Sequence, residues 1–228
     1  MLTNIINNLL GSNIPGFIFS ILIPLLFLIV MVKDKFSKYL LGYFCYGVFS
    51  VIFAFILNEW FSQYPGQINR VSSDISPIVE ETVKALPLLH FFRKDRHNRK
   101  LVIYCAMASG IGFSVNETLF YFTSFVSSPS LYSIFPLIMR TITTCLMHGM
   151  STAVVGFGVR ITRDNKIIRL PMILGLLALS ATIHSLYNIL IGTRLAIVAL
   201  LMPAAHYFVG IALLSNDDET QGGEAYKS

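Results

Sequence analysis

Apolar positions in this chain fall into long runs. Uncharged or nearly uncharged stretches occupy about 14–32, 39–57, 75–92, 101–125, 137–159, 170–190 and 195–214. Each is long enough to cross ~30 Å of hydrocarbon as a helix. The pattern predicts an all-α, polytopic integral membrane bundle of about seven transmembrane helices, one domain over residues 1–228. The run at 14–32 has no positively charged stretch before it and no small-residue cleavage site after it. It is expected to be a retained first helix rather than a signal peptide. The tail at 215–228, polar and glycine-bearing, is expected to be a disordered cytoplasmic end.

Composition agrees with a membrane protein. The chain is 54% hydrophobic and 13% charged, with a mean hydropathy of +0.67, where a soluble domain carries roughly a quarter charged residues. The net charge of +5 does not point to nucleic acid, because the basic residues sit in short clusters between apolar runs. Cys45, Cys105 and Cys145 all lie inside apolar runs, an odd set with no disulfide framework.

Those basic clusters give an orientation. Lys33, Lys35 and Lys38 follow the first run, Arg70 the second, and Arg93, Lys94, Arg96, Arg99 and Lys100 the third. None follows the fourth, then Arg160, Arg163, Lys166 and Arg169 follow the fifth and Arg194 the sixth. Under the positive-inside rule this alternation places the N-terminus outside and the C-terminus in the cytoplasm.

The informative residues are the polar exceptions: Glu80, Glu81 and Lys84 in the third run, Glu117 in the fourth, Arg140 and His148 in the fifth, His184 and Asn188 in the sixth. An acid or base at mid-membrane costs about 2.5–3.5 kcal/mol on insertion scales, so such residues must meet one another or meet water. Counted from the outer end of each run at ~1.5 Å per residue, all four runs place theirs in the outer half. Glu80 and Lys84, Phe113 and Glu117, and His184 and Asn188 are each four apart and share a helix face. Small residues flank them, as in "ASGIG" at 108–112 and at Gly149 and Ser151. The expectation is a polar cavity within the core at 75–190, open to the outside. Three carboxylates face two cations there, so at least one carboxylate is under-compensated.

Carboxylates with two histidines and an amide can activate water and stabilise an oxyanion, as peptide hydrolysis requires. Two His with Glu can also form a hydrolytic zinc shell. Residue types alone leave both open. There is no G-x-S-x-G and no H-E-x-x-H, and Cys145, three residues before His148, lacks an electropositive helix N-terminus. A proton-coupled transporter would also place Glu and His inside spans, but the chain is small and shows no inverted repeat. A non-catalytic membrane chaperone or immunity protein is the other alternative.

The ordered set "EETVK" (80–84), "GIGFSVNETLFYF" (110–122), "RTITTCLMHGMSTAVVG" (140–156) and "HSLYN" (184–188) resembles the PrsW family of intramembrane proteases. That family belongs with the CAAX-prenyl endopeptidases and bacteriocin-processing or immunity proteins. Two departures, Lys84 in place of a more distant arginine and Glu117 in place of a histidine, fit the PrsW branch and argue against CAAX specificity. The resemblance implies a multi-pass protein of the bacterial plasma membrane that makes an extracytoplasmic cut in a single-span membrane substrate, such as an anti-sigma factor, in regulated proteolysis during stress. It also implies roles: Glu80 or Glu81 as base, Glu117 and His148 on water or metal, and His184 and Asn188 at the oxyanion or completing the shell. Lys84, Arg140 and Phe113 would support them. Any zinc would fall to Glu81, Glu117, His148 and His184; metal-independent glutamate chemistry is the expectation.

Overall fold

The computed structural model describes residues 14–31, 37–63, 75–92, 99–125, 131–191 and 193–205. Among these there is no strand. The helices are α1 (Ile14–Met31), α2 (Ser37–Ser62), α3 (Ser76–Ala85), α4 (Arg99–Phe125), α5 (Leu131–Ile161), α6 (Lys166–Ile191) and α7 (Ala196–Ala205). Each expected apolar run has a helix within it or across it, with residues 206–214 of the last run, and the tail at 215–228, outside the described residues. Three helical segments, Lys38–Ser62, Leu137–Ile161 and Lys166–Ile191, are long and apolar enough to cross a membrane.

The third run departs from a continuous α-helix. α3 ends at Ala85 and continues as a 3-10 helix over Leu86–Phe92, because Pro87 has no N–H and its ring displaces the carbonyl of Val83, four residues back. The carbonyls at this break are taken by neighbouring helices. Tyr46 donates to Val83 O at 2.9 Å, Tyr43 to Pro87 O at 3.0 Å, and Ser109 to Lys84 O at 2.9 Å. In an apolar surrounding, freed carbonyls need such partners, so α3 is pinned to α2 and α4 just past its ionisable residues.

α4 is the central helix, buried along nearly all of 101–115 and packed between α5, α2 and α1. Its approach is closer than side chains allow: a Cβ on Gly110 would lie 2.0 Å from His148 O, and one on Gly47 2.0 Å from Ser109 O. Backbone-to-backbone packing at such small-residue positions is how helices associate where lipid removes the hydrophobic drive. The opposite side of α2 presents Phe49, Phe53, Ile56 and Trp60, all exposed, a surface suited to hydrocarbon.

α6 is held on one face only, through Ser180, Ala181, His184 and Tyr187. Asn165 caps its start, accepting from Ile167 N at 3.1 Å, and Arg169 closes the α5–α6 turn by donating to Arg163 O at 2.6 Å. At the other end Tyr187, fully buried, shares its hydroxyl with Thr143 at 3.0 Å. α3, α5 and α6 thus meet around one depth of the bundle, the depth of the glutamates and histidines.

Candidate functional site

Glu80 and Glu81 are neighbours, so about 100° of helix rotation separates their side chains, and the two face different partners. Glu81 is fully buried and accepts from three different side chains. Its Oε1 accepts from Lys84 Nζ at 2.6 Å, from His184 Nδ1 at 3.0 Å and from Ser151 Oγ at 3.0 Å; its Oε2 lies 2.9 Å from the same serine hydroxyl. Ser151 is itself set by Ser180, whose hydroxyl donates to Ser151 O at 2.7 Å. Of the two acids on its own helix, Lys84 forms its ion pair with Glu81, at i,i+3, both 0% exposed.

Glu80 is different. Ser76 donates to its Oε1 at 2.5 Å, while its Oε2 is buried without a hydrogen-bond partner among the described residues. That oxygen lies 3.8 Å from His184 Nε2. Since His184 gives its Nδ1 proton to Glu81, a neutral ring leaves Nε2 as a lone pair facing Glu80, a tautomer inferred from the network.

His148, also fully buried, bridges the other two charges. Lys84 Nζ lies 2.6 Å from its Nδ1, and its Nε2 contacts Glu117 Oε2. An ammonium only donates, so Nδ1 accepts and Nε2 carries the proton toward Glu117. The two histidine rings stand edge to face, centroids 4.8 Å apart. Phe113 packs 5.1 Å from the His148 ring with Lys84 Nζ 4.8 Å above its own. The six ionisable side chains therefore form a single network, closed at Glu81 and Lys84 and open toward Glu80 and Glu117, which are 16% and 24% exposed.

The remaining expected residues lie nearby on the same helices. Asn188, one turn beyond His184 on α6, is half-buried and makes no hydrogen bond among the described residues; Arg140 is half-buried on α5, eight residues before His148. Cys145 lies in the apolar core instead of in the network. Ser76, Ser151 and Ser180 were not singled out as site residues from sequence, although Ser76 precedes Glu80 by four positions and Ser151 follows His148 by three, spacings that put each on the neighbouring face of its own helix.

A metal ion can be tested against these donors. One ligand atom each from Glu80, His148 and His184 lies within 4.8 Å of the others, Glu80 Oε2 is an orphaned acceptor, and Glu81 behind His184 Nδ1 is the carboxylate support that metal-bound histidines use. On these counts a zinc ion fits Glu80, His148 and His184, a group that shares the two histidines with the set expected from sequence and has Glu80 in place of Glu81 and Glu117. One condition attaches: His148 could ligate through Nε2 only if the Lys84–His148 contact gave up a proton, the proton release that accompanies metal loading.

A protein-family model described as PrsW family intramembrane metalloprotease matches residues 36–214, well over half of the chain. No curated protein and no solved structure matches it.

Proposed function

From the premise that this chain belongs to the PrsW family of intramembrane metalloproteases, and is thus a membrane protease, we propose that it is a multi-pass protein of the bacterial plasma membrane that cuts a single-span protein near the extracytoplasmic face. The observation that carries the reading is the contrast between adjacent glutamates. Glu81 already accepts from Lys84, His184 and Ser151, whereas Glu80 offers a buried oxygen with no hydrogen-bond partner among the described residues, 3.8 Å from a histidine lone pair.

Glu80 is the general base. The gap between its Oε2 and His184 Nε2 is close to what one water spans by donating to both. As water attacks the scissile carbonyl, its proton passes to Glu80 Oε2, and the protonated Glu80 then delivers that proton to the departing amine. Glu81 keeps the His184 ring in place and compensates any charge it gains. Asn188, whose amide makes no hydrogen bond among the described residues, donates to the oxyanion. Lys84 orients His148, and His148 holds Glu117 at the mouth, where Arg140 shapes access, while Phe113, buried against the His148 ring, backs the network. Zinc held by Glu80, His148 and His184 would supply a Lewis acid that activates water and polarises the carbonyl. The ammonium at His148 Nδ1 favours glutamate chemistry without it, because only His184 then presents a lone pair. An anti-sigma factor is a substrate of the appropriate form, one span with an extracytoplasmic part.

The test is a proteoliposome assay on a tagged single-span substrate. The parent releases the extracytoplasmic fragment, and Glu81→Gln and His184→Ala do not. Cleavage unchanged in both variants would remove the site, and absence of cleavage across candidate substrates would favour a carrier or a chaperone.

A further inference from the structure

Serine at a helix start ordinarily caps it. Here α3 begins with Ile75 at the cap, no side-chain cap, and Pro77 in the first turn. Ser76 spends its hydroxyl elsewhere, donating one turn ahead to Glu80 Oε1 at 2.5 Å. It in turn accepts from Asn58 Nδ2 on α2 at 2.7 Å. A hydroxyl has one proton to give, and with the Asn58 amide on its acceptor side that proton goes to Glu80. The series has a direction, from amide to hydroxyl to carboxylate. Turning the Asn58 amide over would set an acceptor against Ser76 and draw the proton away from Glu80; in the arrangement seen Asn58 Oδ1 is buried with no partner among the described residues.

A carboxylate's terminal torsion is roughly two-fold and poorly restrained by itself. A hydrogen bond to one oxygen in a low-dielectric surrounding removes that degeneracy. We infer that Asn58 and Ser76 are positioning residues for Glu80, a relay from α2 that holds Oε1 so that Oε2 is the oxygen presented to His184 Nε2. This rests on the reading of Glu80 as base only for its kinetic consequence. The relay itself is a property of the carboxylate and can be read without turnover.

The experiment uses the full chain with carbon-13 glutamate, recording infrared carboxyl bands at one pH and assigning Glu80 as the signal lost in Glu80→Gln. Ser76→Ala shifts that signal, Ser76→Thr returns it, and Asn58→Asp shifts it as Ser76→Ala does, since the introduced carboxylate captures the Ser76 proton. Where Ser76→Ala fails to fold, Asn58→Asp carries the comparison. In the cleavage assay the same two shifting variants lose roughly 10-fold in kcat with KM nearly unchanged, and Ser76→Thr recovers it. Glu80 bands unmoved by Ser76→Ala and Asn58→Asp, or unrestored by Ser76→Thr, overturn the relay. Bands that respond as described in a parent that cleaves nothing support the relay and refute the protease reading instead.

Discussion

Glu81 Oε1 lies 3.0 Å from His184 Nδ1, and this one bond joins α3 to α6 while deciding which histidine nitrogen faces Glu80. Two adjacent glutamates are thereby given separate work. Glu81 organises, and Glu80 remains available.

Stability separates them first. Glu81→Gln leaves the Lys84 ammonium buried with its ion-pair partner gone, and breaking a buried pair from one side costs about 3–5 kcal/mol. Thermal unfolding in detergent is expected to fall well below the parent for Glu81→Gln and to recover substantially when Lys84→Met is added. Glu80→Gln, which removes no ion pair within hydrogen-bond reach, is expected to unfold within about 1 kcal/mol of the parent.

Helix approach gives a second prediction. Gly110→Ala would place a Cβ 2.0 Å from His148 O, forcing α4 and α5 apart at the residue that links Lys84 to Glu117. Loss of both activity and thermal stability is expected. Gly175→Ala on α6, with nothing within 4 Å of its Cβ, is expected to be neutral or to stabilise by up to about 1 kcal/mol through helix propensity. Equal effects of the two substitutions would contradict the packing described.

Much of this was legible in the sequence and some was not. The apolar runs place α1, α2, α4, α5 and α6 because a long apolar segment satisfies its backbone polar groups internally as a helix. The polar exceptions named the glutamates, the histidines and Lys84 because ionisable groups in such segments need partners, and the structure brings Glu80, Glu81, Lys84, Glu117, His148 and His184 into one network. What periodicity could not supply was the choice between i+3 and i+4. Both spacings share a helix face, and Lys84 took Glu81 because Ser151 and His184 converge there from α5 and α6. The 3-10 segment after α3 follows from Pro87, but hydropathy alone does not separate it from the helix before it, since the run at 75–92 is long enough to be read as one span. Ser76 and Ser151 are ordinary in composition and acquire meaning only from what α2, α5 and α6 bring beside them.

Topology can be read by labelling. With Cys45, the exposed cysteine, replaced by serine and the buried Cys105 and Cys145 kept, Thr193→Cys is expected to react with an impermeant maleimide from outside intact cells. Lys166→Cys, in the basic α5–α6 turn, is expected to react only after permeabilisation. The reverse pattern would put the site's open end toward the cytoplasm and contradict an extracytoplasmic cut.

Metal dependence follows from the proton bookkeeping at His148. With Lys84 donating to Nδ1, chelator treatment of the purified protein is expected to leave cleavage intact, and zinc content by mass spectrometry to fall short of one per chain. Cleavage lost with chelator and restored by zinc would show instead that the Lys84–His148 contact has released its proton and that Glu80, His148 and His184 bind the ion.

The central claim is that Glu80 takes the proton from the attacking water, and the most direct measurement of it is the single-turnover rate of substrate cleavage in proteoliposomes by Glu80→Gln against the parent. A base in hydrogen-bond reach of its water contributes about 10²–10⁴-fold. Loss of that size, in a variant that unfolds like the parent, is the predicted result; a rate within a few-fold of the parent would contradict it.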